Sequence, residues 1–238
     1  MSMPPGETPE DLTLRVQNVS AMPHDEPGVY RLLIETSRGE IAALLRPVEG
    51  GTGAVVFAGG AGPGIPLSKD SIYDLLPLRL AARGVTSMHI AYRKNEEFEE
   101  CVLDILGACS VLRGIGATDV ALVGHSMGGA VVIKAGQLAV DVRGVVALAP
   151  QLFGTRQVEE LGKPLILIHG TNDTVLNHEA SEDIYRRALD PKEIVLFEGA
   201  GHSLIDARDQ IADLLEEWIP ARFAGEPMLS KRTEVPME

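Results

Sequence analysis

No stretch of this 238-residue chain approaches the eighteen or so consecutive apolar residues that span a bilayer. The start, Met1 to Glu7, has neither the basic nor the apolar part of a signal peptide. Membrane insertion and export are therefore not expected, and the chain reads as cytoplasmic. Basic residues are scarce: 21 Lys and Arg stand against 34 Asp and Glu, a net charge of -13, with a pI near 4.9. Nucleic acids and anionic membranes require a basic surface, so neither is expected as a partner, and acidic substrates would be repelled. Cysteine is nearly absent. If Cys101 and Cys109 share one helix, eight residues separate them by about 12 Å of rise, beyond disulfide reach. Both read as buried thiols, which suits a reducing compartment. No cysteine-histidine cluster suggests a metal, and no organic cofactor is called for.

The remaining composition, 45% hydrophobic, suffices for one sizeable core. Residues 1–10, rich in proline and acid, read as a disordered N-terminus, and 225–238 as a flexible tail, leaving one domain over 11–224. There is no internal repeat. Residues 12–19, 30–36 and 40–46 alternate as antiparallel strands do, with Ser37-Arg38-Gly39 as a hairpin turn between the last two. Beyond them strands alternate with helices. Strands are expected over 55–58, 86–91, 120–123, 145–149, 165–169 and 194–197, and helices over 69–83, 97–112 and 204–219. This pattern predicts an α/β fold: a mainly parallel sheet of eight or nine strands, an antiparallel N-terminal edge, and helices on both faces.

The most informative residues are Gly124-His125-Ser126-Met127-Gly128. A short apolar strand runs into them and a small-residue helix start leaves them. A serine in so sharp a strand-to-helix turn is held in a strained conformation, and the two glycines let strand and helix approach. Bulk at Gly124 or Gly128 should clash.

With that motif the chain resembles the α/β-hydrolase superfamily, closer to its dienelactone-hydrolase-like and small esterase branches than to the lipases. The resemblance implies an acid and a histidine in fixed order after the serine. An apolar strand ends in His169-Gly170-Thr171-Asn172-Asp173, and the next leads into Gly199-Ala200-Gly201-His202. Ser126, Asp173 and His202 are the implied triad. Upstream, the strand 53–58 empties into Gly59-Gly60-Ala61-Gly62-Pro63-Gly64. Gly59 stands where the family commonly has a histidine. The implied oxyanion donors are the amides of Ala61 and Met127, with Gly60 the alternative if the register slips by one. A phosphate-binding reading of this loop fails, because no register supplies all three glycines of Gly-x-Gly-x-x-Gly and Pro63 lacks an amide hydrogen.

The resemblance implies a serine hydrolase that cleaves a small carboxylic ester or thioester through an acyl-enzyme, without metal or cofactor. Amide hydrolysis, acyl transfer, or a non-catalytic ligand-binding member of the fold are the alternatives, and homo-oligomer formation is left open. The family inserts its lid between the strands ending at 149 and beginning at 164. Here only 151–163 lie between, enough for one short helix and too little for a mobile cap. His125 and His169 read as packing side chains beside the site, His24 and His178 as surface or capping residues, and Asp206 as a helix-surface charge. Arg93 and Lys94 read as a solvated loop pair, with a substrate-carboxylate contact as the other reading. Glu96, Glu97, Glu99 and Glu100 read as a helix N-terminal turn.

Overall fold

The computed structural model describes residues 13–62 and 71–236. The expectation for 1–10 lies outside them, as do Pro63 and Gly64 and the start of the helix expected from 69. Among the described residues ten strands form one sheet. Three N-terminal strands, β1 (Val16–Pro23), β2 (Tyr30–Thr36) and β3 (Gly39–Arg46), are antiparallel. Then come β4 (Gly53–Ala58), helix α1 (Ile72–Ala82), β5 (Val85–Ala91), α2 (Phe98–Gly114), β6 (Asp119–His125), α3 (Met127–Leu138) and β7 (Val142–Leu148). The chain continues through β8 (Leu165–Gly170), α4 (Glu179–Arg187), β9 (Lys192–Phe197), α5 (Arg208–Phe223) and β10 (Lys231–Val235). The spatial order is β1-β2-β3-β5-β4-β6-β7-β8-β9-β10. Apart from the antiparallel β3–β5 contact, β4 onward is parallel.

The central strands are continuous apolar runs because helices cover both faces. Val55, Phe57, Val123 and Ile168 pack under α1 and α5 on one face. Val56, Leu122, Val145 and Leu167 pack under α2, α3 and α4 on the other. The chain moves from β4 to one neighbour, β5, and then crosses to the other side of β4 to form β6. Such a reversal leaves a crevice at the carboxyl ends of the two central strands, where ligands bind in open α/β sheets.

Several elements differ from expectation, among them helix α4, which the pattern does not predict, and β7, which begins at Val142 instead of 145. The segment expected as a flexible tail carries β10, which pairs in parallel with β9 from Lys231↔Glu193 to Val235↔Phe197. An edge strand need not be apolar. It has only to satisfy the free backbone edge of β9, and its charges find partners in Glu193 and Glu182. The sheet is therefore ten-stranded, not eight- or nine-stranded. Strand β1 lies later than 12–19, because its pairing with β2 runs from Val16↔Thr36 to Pro23↔Tyr30. Helix α5 begins at Arg208 because the residues before it form successive turns, Leu204 N–H to Gly201 O at 3.1 Å and Ala207 N–H to Leu204 O at 3.2 Å.

Candidate active site

Ser126 joins β6 to α3. Its φ of 57° and ψ of -118° lie in a region that L side chains rarely occupy. The backbone around it over-determines that conformation. Ser126 N–H donates to Leu148 O at 2.8 Å, while Ser126 O accepts from Gly129 N–H at 3.1 Å and Gln151 N–H at 3.2 Å. The flanking glycines are required by close approach: a Cβ on Gly124 would stand 2.1 Å from Gly128 O, and one on Gly128 would stand 2.2 Å from Gly59 O. The second contact also presses the helix start against the end of β4.

Asp173 follows β8 and His202 follows β9. The two loops are tied by Asn172 N–H to Ala200 O at 3.0 Å and by Gly199 N–H to Thr171 Oγ1 at 2.9 Å. His202 Nδ1 lies 2.7 Å from Asp173 Oδ2. Asp173 Oδ1 accepts from the amides of Val175 and Leu176, each at 2.8 Å. Burial pushes this carboxyl up, but the Leu176 amide, His202 and the Val175 amide together outweigh it and hold it below the usual carboxylate range. An ionised Asp173 requires the proton of His202 on Nδ1, which leaves Nε2 with a free lone pair. Asp173 has no exposed side-chain surface, while His202 keeps 19%. The charge is thus sheltered, while the imidazole is partly open to solvent.

His125 Nε2 stands 2.8 Å from the carbonyl of His202, and the two rings are 4.7 Å apart. Facing an acceptor, Nε2 carries the proton. Burial pushes the ring's pKa down to about 4, so it is neutral near pH 7. The side chain pins the His202 backbone beside the serine turn. Among the described residues no hydrogen bond closes between the Ser126 hydroxyl and the His202 ring. Such links are commonly long without substrate and tighten in the reacting complex.

Gly60 turns toward the serine, since a Cβ there would stand 3.4 Å from Ser126 Cβ. Ala61 is exposed, and its carbonyl accepts from Asn95 Nδ2 at 2.7 Å. Tyr73 Oη donates to Ala58 O at 2.7 Å and so anchors the strand that feeds this loop. Met127 opens α3, where no carbonyl one turn earlier can take its amide within the helix. Beside His125 lies a cavity of about 170 Å³ with an apolar wall of Ile72, Tyr73, Leu148, Leu204 and Ile205. Among the described residues no cluster of three or more His, Cys, Asp or Glu has metal-binding geometry.

The family model described as phospholipase/carboxylesterase matches residues 92–217, just over half of the chain and the part that holds Ser126, Asp173 and His202. The chain belongs to the phospholipase/carboxylesterase family. It is a carboxylic ester hydrolase with the α/β-hydrolase fold. Solved structures show the same fold. The esterase Est1E from Butyrivibrio proteoclasticus is 16% identical, covers 82% of this chain and 99% of its own, and has a TM-score of 0.71. A dienelactone hydrolase from Anabaena variabilis is 20% identical over 80% of this chain and 95% of its own, also at 0.71. An esterase domain from Rhodothermus marinus is 21% identical over 82% and 98%, at 0.67. No curated protein matches significantly.

Other polar residues of this carboxylesterase are engaged elsewhere. Arg93, weighed as a substrate contact, is 4% exposed. Its guanidinium binds Asp104, Glu100 Oε2 at 2.7 Å and Arg38 O at 2.9 Å, which leaves nothing for a substrate carboxylate. Glu100 does more than complement the dipole of α2, since it pairs with Arg38 as well as Arg93. Lys94 is exposed and pairs with Glu97. Asp206 is exposed in the turns before α5, not on a helix. His178 sits at the N-cap of α4 without a side-chain cap bond. Cys101 and Cys109 are buried free thiols. His169 is different, because its Nε2 lies 3.0 Å from Asp173 Oδ2.

Proposed function

We propose that this chain cleaves small carboxylic esters or thioesters through an acyl-enzyme on Ser126, with His202 as the base and Asp173 as its orienting acid. The observation that carries the reading is the left-handed backbone of Ser126 at the start of α3, beside a His202 whose Nδ1 is bound 2.7 Å from a sheltered carboxylate. His202 Nε2 takes the proton of Ser126 Oγ as the Oγ–C bond forms. The negative charge on the former carbonyl oxygen meets the amides of Met127 and Ala61, or Gly60 in the alternative register, and the positive end of α3. The imidazolium then protonates the leaving alcohol or thiol as its bond to carbon breaks. A water, giving its proton to Nε2, hydrolyses the acyl-enzyme, and Ser126 Oγ recovers a proton from His202.

A fluorophosphonate probe tests the nucleophile. Labelling mapped by mass spectrometry to Ser126 alone, with labelling and ester turnover both absent in Ser126→Ala, is expected. Attachment at Ser203 or at no serine overturns the assignment. Turnover of amides above esters, or acyl transfer to an added alcohol in preference to water, would replace hydrolysis of esters as the reaction.

Acyl size follows from the cleft. Residues 151–163 hold a single 3-10 turn, Val158–Glu160, and Leu152 and Phe153 are exposed. A long alkyl chain gains about 0.8 kcal/mol per methylene only where it leaves water. Specificity across p-nitrophenyl esters should peak at about two to six acyl carbons, the range that so little cover can bury. A kcat/KM that keeps rising about threefold or more per methylene beyond ten carbons would refute the small-ester reading.

A further inference from the structure

His169 binds the same carboxylate oxygen as His202. It lies on β8, four residues before Asp173, and has no exposed side-chain surface. Its Nε2 stands 3.0 Å from Asp173 Oδ2 and 3.0 Å from Leu176 O. Both are acceptors, so Nε2 carries a proton. Its Nδ1 stands 2.7 Å from the hydroxyl of Ser181, a buried residue of α4. In the neutral ring Nδ1 accepts from that hydroxyl, so Ser181 selects the tautomer that points an N–H at Asp173. Burial pushes the pKa of His169 down, against the pull of Leu176 O and Asp173.

Asp173 therefore accepts four hydrogen bonds, two amides on Oδ1 and two imidazoles on Oδ2. A carboxylate offers about four such positions, and all are filled. The amides alone fix only Oδ1. Without His169, Oδ2 could turn about that anchor and carry the His202 ring, still bound through Nδ1, out of line with Ser126. It would also carry more of the negative charge alone and hold the Nδ1 proton of His202 more strongly.

We propose that His169, oriented by Ser181, is a positioning residue for the reaction: it locks Asp173 Oδ2 onto His202 and, by sharing that oxygen, moderates the pull of the carboxylate on the imidazole. This rests on the triad reading. The other titratable groups facing the cluster are His125 from the end of β6, on the His202 carbonyl, and His178 at the start of α4, which acts on His169. Both stay unchanged in the test.

Steady-state kinetics of p-nitrophenyl acetate hydrolysis against pH, with His169→Leu, His169→Gln and Ser181→Ala, read the proposal. His169→Leu should lower kcat by about 10- to 100-fold, the scale of misplacing a catalytic group by about 1 Å, with KM little changed. Its acid limb in kcat/KM should move to higher pH, because a carboxylate with one donor fewer favours the imidazolium. His169→Gln, whose amide N–H reaches the position of Nε2, should restore kcat and the acid limb, and Ser181→Ala should fall between. If His169→Leu does not fold, His169→Asn, too short to reach Oδ2, takes its place with the same expectation. A folded Leu or Asn variant with wild-type kcat and acid limb overturns the proposal, as does equal impairment of the Leu and Gln variants, which would mean that His169 only fills space. Ser126→Ala run alongside separates the two readings. If it keeps turnover, the triad itself fails; if it is inactive while His169→Leu is normal, only the role of His169 fails.

Discussion

Two carboxylates at the carboxyl edge of the sheet have no exposed side-chain surface, yet they sit in opposite kinds of company. Asp104, on α2, faces the guanidinium of Arg93, a permanent cation that also binds Glu100. Burial pushes its carboxyl up, against the pull of Arg93. Asp173 faces two amides and two imidazoles, one of which is partly exposed. A carboxylate matched by a fixed cation can only fasten, and this one clamps the end of β5 to α2 and, through Arg38, to the β2–β3 hairpin. A carboxylate held by neutral donors keeps a charge that a proton arriving on His202 can complete. Burial is shared; what separates the clamp from the acid proposed for catalysis is whether the counter-charge is permanent.

The sharpest break of this comparison is a pair of substitutions. Asp173→Asn should lower kcat by about 10⁴-fold by destabilising the Nδ1–H tautomer of His202, with the fold retained by circular dichroism. Arg93→Leu should cost about 3–5 kcal/mol of stability by leaving the buried Asp104 without its cation, while kcat of the folded fraction changes less than about tenfold, well short of the loss expected for Asp173→Asn. Denaturant melts and kcat on both variants check this; a catalytically dead Arg93→Leu with normal stability would erase the distinction. The two regions meet at Asn95, two residues after Arg93, which holds the Ala61 carbonyl. Ala61→Pro should reduce kcat by about 100-fold, the scale of one lost oxyanion donor. Normal turnover there, with an inactive Gly60→Pro, would move the donor to Gly60.

The smallest effect is in acid. Because the folded Asp173 carboxyl lies below its unfolded value of about 3.9, its contribution to stability is complete above that pH and is lost as pH falls through the folded value. The stability gap between wild type and Asp173→Asn should be constant between about pH 5 and 7 and shrink below about pH 4. A gap that widens in acid would mean that the carboxyl is raised, as Asp104 is.

The strands and the turn at Ser126 were legible in the sequence because their causes are local. An apolar run buried on two faces, a glycine on either side of a serine and the order of loops along the chain are all properties of neighbouring residues. They single out Ser126, while Asp173 and His202 were implied by the resemblance to the α/β-hydrolases. Edges and partnerships could not be read from neighbouring residues. The segment 231–235 is polar and reads as a tail, and only the free edge of β9 makes it a strand. Arg93 reads as a solvated cation until α2 brings Asp104 and Glu100 to it across turns that no local pattern specifies. His169 reads as a packing side chain beside the site, and its meaning depends on Ser181, twelve residues on, and on the carboxylate it shares with His202. Periodicity and turn chemistry act over a few residues and so are written in the chain, whereas the charge state and role of a buried polar group depend on what lies within about 3 Å of it, which only folding decides.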